Sequence, residues 1–433
     1  MRSFLMVVAA AAFLAVGTSA VRAQGEFPLK YVLAEENDPL NWDMDESRST
    51  HNRPPQIKAL PQGLSDKVRY FEVAVGGKSL WAVLDTASPL KLYVDLARTG
   101  DLSSVAPLIV KASGDWCCYG PIDISTGNGE GAPTVKVQFV STKFMEHPGY
   151  SVPPGAETYD YNLGVRAAGY LAGDVKLDGQ TYRVAVLDKN VDGRYECAFG
   201  ADGKSVPWWL ADVIAIDSNQ DGKFSGGTAS GEFMPLPKAV CVKGKYYRVE
   251  VAPDGSSIKF EKYEPKMGTL DIGTAASLTL MSDTAMYDLS GADGKWQVPE
   301  GPYTSRYLSI TKTDAGGKVW TLSGHDMGPL AKFEVRGGET TAIKIGPPLA
   351  LKVDAVGPQS SGEVVVGTID GATVSIGGPP SGGNIVLNLA LVGKAGERYS
   401  VAPCKGTEQA LPPKVKVLDA SGNVLAEGKS EFT

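Results

Sequence analysis

Residues 184–196 read Val-Ala-Val-Leu-Asp-Lys-Asn-Val-Asp-Gly-Arg-Tyr-Glu, and residues 213–225 read Val-Ile-Ala-Ile-Asp-Ser-Asn-Gln-Asp-Gly-Lys-Phe-Ser. Each stretch joins four apolar residues to an Asp-x-Asn-x-Asp-Gly loop. A short apolar run followed by turn-forming residues is typical of a buried β-strand. With 51 glycines and 28 prolines in 433 residues, few segments can run helically without interruption. The sequence therefore predicts an all-β protein with few short helices.

A β-hairpin is predicted ahead of the first loop. Strand-type patterns cover 170–177 and 181–187, with a glycine turn between them. The same arrangement recurs earlier in the chain, over 70–75 and 79–84. These hairpins predict duplicated β units, followed by a β-sandwich-like C-terminal region.

The duplication predicts which aspartates correspond. Asp85 and Asp95 follow strands of the first copy, as Asp188 and Asp217 follow strands of the second. The segment after Asp95 has the shape of a calcium loop without its ligands. Only the second copy keeps the oxygen-bearing residues.

The predicted organisation divides the chain into five parts. The N-terminus carries one positive charge, a short apolar run and a small-x-small pattern, which is typical of a secretory signal cleaved after Ala23. The parts are a signal peptide (1–23), an extended leader (24–66), a first β unit with a degenerate loop (67–150), a second β unit with calcium-type loops (151–267) and the C-terminal region (268–433), which divides near 346.

The two loops have the ligand pattern of calcium sites. Side-chain oxygens at alternate positions, followed by a glycine where the backbone turns, begin many calcium loops. Position seven contributes its backbone carbonyl, so a basic side chain is tolerated there. The predicted ligands are Asp188, Asn190, Asp192, Arg194 and Glu196 in the first loop, and Asp217, Asn219, Asp221 and Lys223 in the second.

The loops depart from the EF-hand in two ways. A strand rather than a helix precedes each loop, and Phe199 and Thr228 replace the bidentate glutamate of position twelve. Calcium affinity is therefore expected in the weak range of extracellular modules, about 10⁻⁴ to 10⁻³ M. The alternative is that aspartate, asparagine and glycine form metal-free Asx turns.

The run from Arg69 to about Tyr263, with hairpins leading into these loops, resembles a group of secreted proteins of environmental bacteria such as planctomycetes. The first loop, with Glu196 at position nine, is similar to the calcium loops of integrin-type propeller repeats. The tail, with Pro299-Glu300-Gly301-Pro302-Tyr303 and a final hairpin, resembles adhesion-type modules of the immunoglobulin or transthyretin kind. The resemblance covers most of the mature chain and implies an architecture without an activity.

Charge and cysteine content bear on partners and compartment. A net charge of -7 without a basic cluster argues against nucleic acid, and no segment approaches the roughly 20 apolar residues of a membrane span. Five cysteines indicate one or two disulfides in an oxidising compartment, with Cys197 and Cys241 as candidate partners. The adjacent Cys117 and Cys118 lack the second Cys or His pair of a zinc site.

Two alternative functions remain open at this level. The motif at Asp85-Thr86-Ala87 resembles that of aspartic proteases, in which two carboxylates share a proton, but alanine replaces the glycine and no second copy occurs. A homodimer could supply the second aspartate of such an extracellular hydrolase. Trp208 and Trp209 could stack on a sugar in a carbohydrate-binding protein, or they could pack in a core.

The sequence favours a secreted or periplasmic calcium-binding β protein without catalytic residues. Its expected role is structural, adhesive or in recognition. Ca²⁺ is the expected cofactor. The partner is unknown, and a cell-surface or glycan ligand is the class that fits this role.

Export can be tested at the N-terminus. If the signal is cleaved after Ala23, mass spectrometry of the exported protein will find Gln24 as the first residue, or Val21 if the earlier small-residue pattern is used. Recovery from the cytosol with Met1 retained would contradict secretion.

Overall fold

The computed structural model describes residues 23–35, 38, 40, 45–110, 116–126, 132–143, 161–197, 199, 211–224, 232–313, 319–356, 365–369, 372–376, 386–402, 414–418 and 423–429. These residues form β-strands, numbered here β1 to β32, and one 3-10 helix at Gly328–Leu330. The all-β prediction is confirmed. In this part of the chain no helix is both long enough and apolar enough to cross a membrane.

The first three strands lie in the segment that was expected to be an extended leader. They are β1 (Ala23–Pro28), β2 (Lys30–Leu33) and β3 (Asp45–Arg48). Each lies at the edge of a different sheet and pairs antiparallel with a strand far along the chain. Backbone pairing with distant strands thus holds β1, β2 and β3, which lie in the segment predicted as an extended leader.

The next seven strands form two sheets around one core. They are β4 (Val68–Val75), β5 (Lys78–Asp85), β6 (Lys91–Val94), β7 (Leu108–Ile109), β8 (Trp116–Ser125), β9 (Thr134–Lys143) and β10 (Tyr161–Ala167). One sheet has the order β4-β5-β6-β7 and the other the order β3-β10-β9-β8. Phe71 and Leu84 of the first sheet and Phe139 of the second belong to the shared core, which we call the first core.

A second pair of sheets carries the predicted calcium loops. Its strands are β11 (Gly169–Leu177), β12 (Gln180–Leu187), β13 (Val213–Ile216), β14 (Phe233–Pro235), β15 (Ala239–Val242), β16 (Lys245–Val251) and β17 (Ser257–Tyr263). The sheet orders are β2-β11-β12-β13-β14 and β1-β17-β16-β15. Val184, Ile214 and Phe260 lie in the core between them, which we call the second core.

The remaining strands form the C-terminal region. They are β18 (Met267–Asp271), β19 (Ala276–Met281), β20 (Met286–Gly291), β21 (Lys295–Pro299), β22 (Gly301–Thr313), β23 (Val319–Asp326), β24 (Lys332–Val335), β25 (Thr340–Ala342), β26 (Ala350–Val356), β27 (Val365–Ile369), β28 (Ala372–Ile376), β29 (Val386–Val392), β30 (Arg398–Ala402), β31 (Lys414–Leu418) and β32 (Val424–Lys429). A sheet with the order β21-β18-β25 and a larger sheet containing β19, β22, β23 and β30 contribute to one core. The strands β27 and β28 pair antiparallel in a two-stranded sheet, and so do β31 and β32.

The two loop-bearing sheets run in the same strand order. In β4-β5-β6-β7, Asp85 is the last residue of β5 and Asp95 follows β6; in β11-β12-β13-β14, Asp188 follows β12 and Asp217 follows β13. A duplication would produce this shared order. The four aspartates lie where the sequence predicts strands to end.

Candidate metal centre

Three loops share one backbone geometry, and two of them are the loops predicted to bind calcium. In each, a buried aspartate directly after a strand accepts hydrogen bonds from the N–H groups four and five residues further along. The oxygen-to-nitrogen distances are 3.1 and 2.6 Å for Asp95, 3.1 and 2.8 Å for Asp188, and 3.1 and 2.9 Å for Asp217. Each carboxylate oxygen serves one N–H, so the side chain closes the loop behind its strand.

The sixth residue of each loop must be glycine. Its φ is 77° in Gly100, 80° in Gly193 and 82° in Gly222. A side chain is strained in this left-handed region, whereas glycine enters it freely. The glycine of the Asp-x-Asn-x-Asp-Gly pattern is therefore a requirement of the turn itself.

The Asp95 loop has this geometry without the ligand pattern. Ala97 and Thr99 stand where the other two loops have asparagine and aspartate. The Thr99 hydroxyl accepts the N–H of Asp101 at 3.1 Å, as the Asp192 carboxylate accepts the N–H two residues after it at 2.8 Å. The Asp95 loop thus has the same shape as the two loops predicted to bind calcium. The first aspartate and the glycine suffice for this backbone.

The predicted ligands of the first loop are brought together in part. The N–H of Asp192 donates to Oδ1 of both Asp188 and Asn190 at 3.1 Å. Each acceptor oxygen has a second lone pair that remains usable by a cation. Arg194 is exposed, and its N–H donates to Asp192. Glu196 is also exposed, and the structure ties its backbone N–H, rather than its carboxylate, to a neighbouring side chain.

That neighbouring side chain is Asp212, which the sequence analysis did not identify. Asp212 directly precedes β13, and the pairing of Leu187 with Val213 places it across from Asp188. It is 1% exposed, and it accepts the N–H of Lys189 at 3.0 Å and that of Glu196 at 2.7 Å. An acidic residue immediately before the strand that pairs with the loop-bearing strand is the signal that could have identified it.

Burial raises the pKa of both carboxyls in this pair. The pKa of Asp188 is raised to about 7 by burial and by the charge of Asp192, against the hydrogen bond from Gly193. The pKa of Asp212 is raised to about 8 by burial and then by the charge of Asp188. Facing carboxylates that are out of water favour a shared proton or a bound cation over two bare charges.

The second loop repeats the arrangement with different residues. Asn219 accepts the N–H of Asp221 at 2.8 Å, and Asp221 accepts that of Lys223 at 2.9 Å. Glu232, 1% exposed and directly before β14, accepts the N–H groups of Ser218 at 3.1 Å and of Asn219 at 3.2 Å. Each ligand-bearing loop is thus bonded to a buried acid from the neighbouring strand.

The first loop touches both cores of the N-terminal half. Val191, the fourth loop residue, is 3% exposed and belongs to the first core. Tyr195 packs against the second core. A Cβ at Gly193 would come within 2.6 Å of Pro133 Cβ, so the loop backbone lies directly on the chain that leads into β9. The loop is therefore a contact between the two pairs of sheets.

The donor chemistry fits a hard cation, although the carboxylates are not gathered into a metal cluster. Within the described ranges, no group of three or more His, Cys, Asp or Glu side chains is placed to hold a metal ion. A calcium ion in the first loop would depend on Asn190 and on backbone carbonyls beside Asp188 and Asp192. Oxygen donors of this kind suit calcium and are poor ligands for soft metals.

Asp85 is held in a different way. It is buried, and it accepts the N–H and hydroxyl groups of Ser65 at 3.1 and 2.5 Å and the N–H of Ala87 at 3.1 Å. Burial alone would raise the pKa of Asp85, but these hydrogen bonds and Lys91 outweigh it and hold the pKa below its usual value. Ser65, Ala87 and Lys91 therefore hold Asp85 as a carboxylate at the end of β5.

The predicted disulfide is not formed. Cys117, Cys118, Cys197 and Cys241, which are the cysteines of the described part, form no disulfide with one another. Cys197 lies behind the first loop and accepts the N–H of Phe199 at 3.4 Å, whereas Cys241 lies in β15 opposite Tyr246. Cys197 and Cys241 are both close to the loops in the sequence, but the fold does not bring their thiols together. Cys404, Trp208 and Trp209 lie outside the described residues.

Comparison with known proteins found no matching family model, no similar curated protein and no similar solved structure.

Replacing Asp85 tests whether it is structural. In Asp85→Asn a single amide oxygen must accept the three hydrogen bonds that the two carboxylate oxygens now accept. The free energy of unfolding, measured by denaturant titration, should therefore fall by about 1–3 kcal/mol. No peptidase activity should be lost. Ser65→Ala, which removes only the hydroxyl partner, should destabilise less. A peptidase with an acid optimum that disappears in Asp85→Asn would instead support the hydrolase.

The Asp188–Asp212 pair predicts a pH dependence in the presence of chelator. Both folded pKa values lie above the unfolded value of about 3.9, so the folded state binds more protons between about pH 4 and pH 8. Proton binding by the pair stabilises the folded state fully below that window, and this stabilisation is lost as pH rises through it. Thermal melting across the window should show this fall, and Asp212→Asn should flatten it. An identical slope in the variant would contradict the pairing.

Proposed function

We propose that this protein is a secreted or periplasmic calcium-binding β protein. Its first loop binds Ca²⁺ through Asp188, Asn190 and Asp192, with the carbonyl of Arg194. Glu196 remains the predicted ninth-position ligand. The second loop binds through Asp217, Asn219, Asp221 and the carbonyl of Lys223, and more weakly because Ser225 replaces the ninth-position acid.

The proposal rests on one observation, which is that the carboxylates of Asp188 and Asp212 form a buried pair at the first loop. The charges that act on Asp212 are those of Asp188 and Asp192, which are also negative. Removing such charges from water is unfavourable unless a cation or a proton offsets them. A divalent cation held by oxygens supplies that compensation at neutral pH.

The position of the loop suggests what the metal does. Val191 enters the first core and Tyr195 packs on the second, so the loop lies between the two pairs of sheets. A bound ion would hold Asp188 and Asp192 in one arrangement and restrain both contacts together. We place the ion in a structural role, with attachment or recognition assigned to the C-terminal region, whose predicted module is of the immunoglobulin or transthyretin kind.

Thermal melting with calcium, magnesium and chelator tests the proposal. If calcium binds only the folded chain, ten times the dissociation constant should stabilise it by about 1.4 kcal/mol, which shifts melting by a few degrees. Magnesium should do less, because it demands octahedral geometry and keeps its water. Asp192→Ala should lose most of the calcium shift. A native chain unmoved by millimolar calcium, or a variant that responds fully, would contradict first-loop binding.

The Asp95 loop provides a matched control. Ala97→Asn/Thr99→Asp restores the Asp-x-Asn-x-Asp-Gly pattern on a backbone that already has the required bonds. The double variant tests whether this pattern alone confers a calcium response. Thr99→Asn, which changes the same loop without adding a charge, is its neutral reference and should leave the response unchanged.

A further inference from the structure

We infer that Asp212 is the positioning residue of the first loop, and that an acidic residue directly before the next strand distinguishes a ligand-binding loop from an empty turn in this fold. The inference rests on the proposed calcium function. It assigns to Asp212 a task that differs from ligation, which is to hold both ends of the loop while Asp188 holds its middle.

The hydrogen bonds of Asp212 show this division. Lys189 and Glu196 are the second and ninth loop residues, and their N–H groups donate to different oxygens of Asp212. The middle of the loop, at Asp192 and Gly193, is held by Asp188. The segment that would surround a cation is therefore fixed at its start, middle and end by two carboxylates from neighbouring strands.

The second loop has its own version of this residue. Glu232 precedes β14 as Asp212 precedes β13, and it accepts the N–H groups of Ser218 and Asn219, the second and third residues of that loop. Glu232 lies opposite Ile216, the residue before Asp217. Its side chain is longer than that of Asp212 and reaches the loop from this position. Each loop is thus bonded to an acid that precedes the next strand, Asp212 at both ends of the first loop and Glu232 at the start of the second.

The Asp95 loop supplies the contrast. Pro107 precedes β7, the strand that pairs with β6, and the N–H of Leu96, the second loop residue, donates to the carbonyl of Val94 at 2.9 Å. This loop has the same aspartate and glycine geometry but neither the ligand residues nor the acid. The backbone shape of the loop therefore does not require an acid before the next strand. Such an acid occurs in the two loops that contain the predicted ligand residues.

Placing Asp212 opposite Asp188 works against stability. Like charges directly across a strand pair repel, and burial strengthens the repulsion. A neutral side chain could satisfy one loop end without that repulsion. A residue that opposes the fold locally and is nevertheless buried at a site points to function.

Calcium titration of variants in which an acid is replaced by its amide tests the inference. All chains carry Asp221→Ala so that only the first loop responds, and the pH lies above 8 so that protons do not compete. Asp212→Asn should weaken calcium binding by about 10- to 100-fold, the usual effect of removing a partner that orients a metal ligand. Glu397→Gln, the same loss of charge at a buried acid of the C-terminal region, should leave the affinity unchanged. Equal affinities in Asp212→Asn and its parent would overturn the inference.

Amide hydrogen exchange keeps the positioning claim testable whatever happens to binding. In the native chain the amides of Lys189 and Glu196 should exchange slowly. In Asp212→Asn these two should exchange faster, while those of Asp192 and Gly193 stay slow. If the native chain binds no calcium, the proposed function fails and this pattern alone decides the positioning claim. If the variant does not fold, native exchange decides it, and fast exchange at Lys189 and Glu196 overturns it.

Discussion

At the end of β12 the two oxygens of Asp188 accept the N–H groups of Asp192 and Gly193, and the same pair of bonds recurs after β6 and β13. Without them, the glycine N–H of each loop would lose the carboxylate oxygen that accepts it, which is unfavourable inside a protein. The bonds also hold the sixth loop residue in the left-handed backbone conformation that requires glycine. Where each strand stops, and which way the chain leaves it, follow from this contact.

The first loop makes further contacts beyond these two hydrogen bonds. Asp212 ties its ends to β13, Val191 enters the first core and Tyr195 packs on the second. One short segment therefore carries a pair of facing carboxylates and contacts to two cores. A cation at the carboxylates would act on both contacts at once, which supports the structural role proposed for it. Asp85, whose pKa is held low, contributes to strand ending instead.

Much of this could be predicted from the sequence, because it depends on local pattern. Four apolar residues before Asp188 and Asp217 identify strands buried on their sheet, and the glycines identify the turns. The shape of the Asp95 loop was also predictable, since aspartate and glycine alone specify it. What could not be predicted depends on register. Asp212 and Glu232 are single acids whose role appears only once their strands are paired.

Other differences have the same origin. The partners of β1, β2 and β3 lie far along the chain, and edge strands this short need no side-chain pattern. Cys197 and Cys241 flank the loops in sequence, but the pairing of β15 with β16 carries Cys241 to a different neighbour. Long-range pairing, rather than local propensity, decided each of these outcomes.

The most direct test of the calcium claim is a crystal structure in millimolar calcium, with anomalous difference density used to identify the metal. Calcium binding in the first loop predicts a peak about 2.3–2.6 Å from side-chain oxygens of Asp188, Asn190 and Asp192. It also predicts no peak in the Asp95 loop. A first loop as empty as the Asp95 loop under the same conditions would show that all three are turns closed by aspartate alone.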